Sequence, residues 1–230
     1  MNTIGIIGAM DIEIEGIKSI TNVISVKNIA GMNFALGSLE GKDVVIAQCG
    51  VGKVNAAVCT QIMADMYGVD CVINVGVAGG LAKGLEIGNV VISSDVCQHD
   101  MDVTGLGYSV GVIPDMETSL FEADEAMIDA ARKALMECGI KGMIGRVAGG
   151  DVFVCSNELK DKISNTFGAC CCEMEGGAIA QVCYLNKLPF VIIRAISDSA
   201  DDSGSMDYPE FKKLAAENSQ KILRVMLGLL

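Results

Sequence analysis

Histidine occurs only once in the 230 residues, at His99, and none of the ten cysteines stands in a CxxC pair. A zinc site of the Cys/His type therefore lacks its usual partners. Basic residues are scarce too: 17 Lys and Arg face 29 Asp and Glu, a formal net charge of -12. No basic stripe exists to neutralise phosphates, which argues against a nucleic-acid partner. No apolar run reaches the ~20 residues that span a bilayer, so no membrane partner is expected. The N-terminus has no basic region ahead of its short apolar run, unlike a signal peptide. Free thiols in this number fit a reducing, cytoplasmic setting.

What the chain has in quantity is apolar residues, 51% of the total, and glycine, 27 in all. That length can bury a large core and fits one globular domain over residues 1–230. Many glycines flank apolar runs, as in IGIIGAM and INVGVAGGL, which places tight turns at strand ends. Cys170, Cys171 and Cys172 stand in a row, but successive strand residues point to opposite faces. They cannot converge on one metal, and they read as small buried hydrophobes.

Along the chain, TIGIIGAM (3–10) reads as a buried strand and residues 11–20 as a helix with an acidic first turn. Residues 34–50 read as two strands around a Gly-Lys turn. Residues 53–68 have helical apolar spacing and stop at Gly68. CVINVGVAGG (71–80) and NVVISSDVCQHD (89–100) read as strands. Residues 122–139 form a helix stopped by Gly139. Residues 142–154 look strand-like, and 157–168 read as a polar helix capped by Asn157. ACCCEME is a strand, GGAIAQVCYLNK a helix, and PFVIIRAISD (189–198) a strand. The end, from Pro209, is an amphipathic helix. Apolar strands alternating with helices indicate an α/β fold with a largely parallel or mixed central sheet. Residues 100–121 are the longest irregular stretch, of a length often used for function or for contact with another chain.

Ligands in α/β sheets gather beyond the carboxyl ends of strands. Four such ends carry chemistry: Met10, Asp11 and Glu13; VGVAGG; Met174 and Glu175; and Arg194, Ser197 and Asp198. A carboxylate directly after an apolar strand is costly to bury unless paired or used. Each also has a plain structural reading. Glu13 fits a solvated first-turn acid, Asp198 and Glu175 fit helix caps, and the methionines fit the core. Gly50-Val51-Gly52-Lys53 falls far short of GxxxxGK[ST]. Patterning alone gives an α/β protein with carboxylates at strand ends.

The ordered set GIIGAMDIEIE, CGVGKVNAA, NVGVAGGL, HDMDVTGLGY, GDVFV, EMEGGAIAQVC and RAISDSAD spans nearly the whole chain. Together these closely resemble the 5'-methylthioadenosine/S-adenosylhomocysteine nucleosidases of the purine nucleoside phosphorylase/uridine phosphorylase superfamily. The resemblance implies a three-layer α/β/α fold, a homodimer, and no metal or organic cofactor. It implies hydrolysis of the N-glycosidic bond of a small nucleoside substrate, a 5'-thio-substituted adenosine, to adenine and a thioribose.

By the same resemblance, Glu13 is the base that activates water, Asp198 the acid that protonates adenine N7, and Glu175 the holder of the ribose hydroxyls. Ser197 orients Asp198, and Arg194 supports the carboxylate and water network. Met10 and Met174 pack along the ribose; Ala78 and Gly79 fall at substrate-binding positions. Phe153 stacks on adenine and the Val154 backbone reads its edge. Val103, Leu106 and Pro114 complete the 5'-substituent pocket, partly from the neighbouring subunit, and Tyr208 belongs to a lid. Glycosidic cleavage builds positive charge on the ribose and negative charge on the base. An acid for the base, a base for the water and an anion for the sugar answer those demands.

Three positions depart from the pattern: Val77 where relatives often have Ser, Leu106 where Phe is commoner, and the Gly176-Gly177 helix start. These bear on substrate preference more than on reaction type. A nucleoside phosphorylase on the same fold would need cations for phosphate. The four arginines are Arg132, Arg146, Arg194 and Arg224, none in the first 131 residues. That scarcity favours water as nucleophile. A futalosine-type nucleosidase and a non-catalytic nucleoside-binding protein are further alternatives.

Overall fold

In the computed structural model, residues 1–201 and 204–230 are described, the side chains of residues 204–210, 212 and 215 excepted. Ten strands run β1 (Thr3–Gly8), β2 (Asn22–Ile29), β3 (Met32–Leu39), β4 (Lys42–Gln48), β5 (Cys71–Gly80), β6 (Val90–Gln98), β7 (Phe121–Glu122), β8 (Gly142–Gly149), β9 (Cys171–Glu173) and β10 (Phe190–Asp198). Six helices interleave with them: α1 (Asp11–Ser19), α2 (Lys53–Tyr67), α3 (Glu125–Cys138), α4 (Asn157–Phe167), α5 (Gly176–Asn186) and α6 (Gly204–Leu229).

All strands join one mixed sheet. β1 lies between β4 and β5, parallel to both, while β3 and β2 extend the β4 side antiparallel. On the other side the sheet curls shut. β10 pairs with both β5 and β6, β6 with β8, β8 with β9, and β9 with β5. Five strands thus form a closed ring, which leaves no free edge on that side of the sheet, while β2 remains the edge on the other. β5 and β10 are buried along their full length, which explains their unbroken apolar sequences.

Helices cover both sides, giving three layers. The alternation of β1 shows it: the face bearing Gly5 meets Met63 of α2, and the opposite face, bearing Gly8, meets Ile14 of α1. α6 packs with α1 and α3, and α2 packs with α5. The same alternation separates Cys171, in the main core, from Cys172, in a smaller cluster with Cys97, Ala148 and Val154.

Several local expectations shift. α4 is capped by Ser156, whose hydroxyl accepts from the Leu159 N–H, and not by Asn157. Asn157 is the first helical residue. β8 stops at Gly149, and residues 150–154 form a loop over the site. β2 was not legible as a strand because it is exposed along almost its whole length and has no apolar alternation. The last helix begins at Gly204, ahead of Pro209.

Candidate active site

The starts of three helices converge on one point, and each brings backbone N–H groups to a carboxylate. α1 opens with Glu13 folded back on its own first turn: Oε2 accepts from Ala9 N–H at 2.7 Å and Met10 N–H at 2.9 Å. Its Oε1 accepts from Val77 N–H of β5 at 3.0 Å. α2 opens at Gly52, whose φ of 96° suits glycine; its N–H donates to Glu175 Oε1 at 3.0 Å. α5 opens behind Glu175, and Glu173 Oε2 accepts from the N–H groups of Glu175 at 3.0 Å and Gly176 at 2.6 Å. Glu175 occupies the cap position without capping; Glu173 does that work. Helix N-termini are where buried negative charge is best tolerated, and three are used here.

Arg194 of β10 supplies the countercharge and is 1% exposed. Its Nη2 donates to Glu173 Oε2, to Asn74 Oδ1 at 2.6 Å and to Glu175 Oε2 at 3.3 Å; Nη1 reaches the Val77 carbonyl at 3.3 Å. One guanidinium serves several carboxylates, so the balance is short of positive charge. Burial pushes the Glu175 carboxyl up to about 7; Arg194 and the Gly52 N–H oppose this, while Glu173 and Glu13 add to it. Burial would lower the Arg194 pKa, but the carboxylates of Glu173, Glu175 and Glu13 outweigh it and hold the guanidinium more firmly protonated.

Asp198 ends β10 across from this cluster. The β5–β10 register slips between Ile196 and Asp198, a bulge that turns the strand end and sets Asp198 beside Gly79. Asp198 is buried; Oδ2 accepts from the Ser197 hydroxyl at 3.0 Å and Oδ1 from Ala200 N–H at 2.9 Å.

These groups face a cavity of about 370 Å³. It is walled by Met10, Glu13, Ala78, Gly79, Phe153, Val154, Met174, Glu175, Arg194, Ser197 and Asp198, eleven of the residues expected from sequence. Val103, Leu106 and Pro114 are not among the walls of their own chain, and Leu106 is 75% exposed. The Tyr208 side chain lies outside the described residues. Glu173, Cys172, Val51, Val77, Val152 and Ala9 also line the cavity. Glu173 had a readable signal: a buried arginine on an apolar strand requires carboxylate partners. Cys172 donates weakly to the Gly79 carbonyl at 3.7 Å, and burial pushes its thiol up.

Lys53 and the other three arginines are committed elsewhere. Lys53 is bound to Asp100 at 2.8 Å and Gln98 at 3.2 Å, and Arg146 to Asp95. Arg132 pairs with Asp129 and Arg224 with Glu40. His99 is buried behind the site against Gly150, and burial lowers its pKa despite Asp100 and Glu173 nearby. Among the described residues no cluster of three metal-ligating side chains forms, and no helix is long and apolar enough to cross a membrane.

A cavity with an apolar lining and four buried carboxylates, Glu13, Glu173, Glu175 and Asp198, along its wall has the make-up of a site for acid–base chemistry on a partly apolar small molecule. The sequence profile of the phosphorylase superfamily matches residues 3–228. A 5'-methylthioadenosine/S-adenosylhomocysteine nucleosidase of Shewanella loihica is 41% identical over 94% of both chains. The Neisseria meningitidis nucleosidase of the same name, solved with methylthio-immucillin-A, superposes with a TM-score of 0.97 at 40% identity over the whole of both chains. The futalosine hydrolase of Helicobacter pylori superposes with a TM-score of 0.95 at 32% identity, covering 100% of this chain and 98% of that one. The chain belongs to the phosphorylase superfamily and, within it, to the 5'-methylthioadenosine/S-adenosylhomocysteine nucleosidase family.

Proposed function

We propose that this protein, as one nucleosidase domain over residues 1–230, hydrolyses the N-glycosidic bond of 5'-methylthioadenosine and S-adenosylhomocysteine. The products are adenine and the corresponding thioribose. The observation that carries the reading is the placement of Glu13, Glu175 and Asp198 around one cavity whose only cation, among the described residues, is already bound to carboxylates. A phosphate nucleophile would find no free arginine or lysine there, whereas water needs only a base.

In this reading Asp198, oriented by the Ser197 hydroxyl, gives a proton to adenine N7 as the bond breaks. Glu13 takes a proton from the attacking water. Glu175 binds the ribose hydroxyls, and its charge stabilises the cationic sugar. Arg194 holds the carboxylates in place. Phe153 stacks on adenine and the Val154 main chain reads its edge. Met10, Met174, Ala78 and Gly79 enclose the sugar and base. The apolar lining suits a thioether tail. Val103, Leu106 and Pro114 close the tail pocket of a partner subunit in a homodimer, and Tyr208 serves as part of a lid. The setting is cytoplasmic.

The test is adenine release from 5'-methylthioadenosine by purified protein, with and without inorganic phosphate. Release independent of phosphate is expected. Release only with phosphate, yielding a sugar 1-phosphate, overturns the hydrolase. The likeness to futalosine hydrolase supports a second reading, so futalosine belongs in the same assay; release from it alone would transfer the assignment.

A further inference from the structure

Glu173 has no part in the chemistry above, yet it is bound to both the guanidinium and a helix start of the site. One oxygen, Oε2, accepts from Arg194 and from the first two N–H groups of the α5 start. Glu173 therefore meets Glu175 twice, once through the main-chain N–H of Glu175 and once through the guanidinium they share. The sharing is unequal. Arg194 approaches Glu173 more closely than Glu175, which it meets at 3.3 Å. Glu175 is left with the lesser part of a single positive charge.

We propose that Glu173 is a positioning residue for the reaction: it fixes Arg194 and the start of α5, and thereby sets where Glu175 stands and how much countercharge it receives. The role rests on the nucleosidase reading, in which Glu175 must be ionised to stabilise the sugar cation. The groups facing Glu175 are Arg194 from β10, Glu173 from β9, Glu13 from α1, the Gly52 N–H at the start of α2, and Cys49 after β4. Only Arg194 is cationic. Removing the Glu173 charge gives Glu175 the whole guanidinium and takes away a like charge. Both changes favour its ionised form.

The experiment is the pH profile of kcat/KM for 5'-methylthioadenosine, wild type against Glu173→Gln. Glutamine keeps the shape, and its amide oxygen still accepts from the α5 N–H groups. The acid limb should move down by about one pH unit, the scale on which a neighbouring charge acts. One unit below the wild-type midpoint, wild type should run at roughly a tenth of its plateau and Glu173→Gln at about half of its own. A uniform loss of kcat with an unmoved midpoint would mean a merely structural role and overturns the proposal. Glu173→Asp keeps the charge, so its midpoint should stay at the wild-type value while kcat falls. A midpoint that moves in Glu173→Asp overturns the proposal even if Glu173→Gln is not recovered folded. No adenine release by wild type at any pH would sink the nucleosidase reading itself, and the positioning role with it.

Discussion

A β-carbon at Gly76 would sit on Nη1 of Arg194 and lie 2.7 Å from Oε1 of Glu13. Gly76 and Arg194 are register partners on adjacent parallel strands, so their side-chain positions share one face. The glycine is the space in which the guanidinium lies. Gly76→Ala should cost about 1–3 kcal/mol of stability through overpacking. It should also displace Arg194 and reduce adenine release far more than the melting temperature suggests. Parallel thermal melts and turnover assays check this.

Asp198→Asn should abolish measurable release while a non-hydrolysable nucleoside analogue still binds. A proton donor in such a role contributes about 10²–10⁴-fold. Calorimetric titration beside the turnover assay separates the two effects. Near-normal turnover would remove Asp198 from the acid role. Glu13→Gln should lose rate on the same scale, because the amide cannot take a proton from water.

Stability against pH carries two opposing contributions. The Glu175 carboxyl sits at about 7 in the fold against 4.5 ordinarily, so its contribution is present below 4.5 and is lost as pH rises through 7. His99 is displaced the other way, downward from 6.5, so its contribution is present above 6.5 and lost as pH falls. Melting temperatures of Glu175→Gln should therefore decline less from pH 5 to 7 than those of wild type. Those of His99→Gln should decline more, since the Glu175 contribution is then unopposed. Identical slopes in all three would contradict both displacements.

Only Cys155 among the ten thiols is exposed; Cys138 and Cys170 are half-buried and seven are buried. A maleimide should label one site rapidly in native protein, two more slowly and the rest only on unfolding. Intact-mass spectrometry over time resolves the classes. Rapid labelling of Cys171 or Cys172 would contradict their packing.

The sequence made the layered α/β architecture legible because its strands are buried on both faces and read as unbroken apolar runs. β2 escaped because nothing packs on it. The ring closure escaped because a strand carries no sign of having partners on both sides; β10 looks the same whether it ends a sheet or bridges one. At the site, Glu13, Glu175, Asp198 and Arg194 stood out as charges after apolar runs, although their roles came from resemblance rather than spacing. Glu173 could be read only through the buried Arg194's need for carboxylates, because a cap set behind its helix start differs from the usual Ser or Asp signal. Leu106, Val103 and Pro114 sit in a long irregular stretch that does not wall the cavity of its own chain.

The ring formed by β5, β10, β6, β8 and β9 has a consequence for how such a protein can change. Arg194, Asp198, Glu173 and the Val77–Gly79 segment all project from strands of that ring. A strand tied on both sides cannot slide without breaking two ladders at once, so Asp198 and the Arg194–Glu173 pair keep a fixed separation. Freedom is left to what lines the cavity from outside the ring, the loop at 150–154. The shape of the cavity mouth at Val152, Phe153 and Val154 can therefore change by editing a loop, while the strand-borne groups stay where they are.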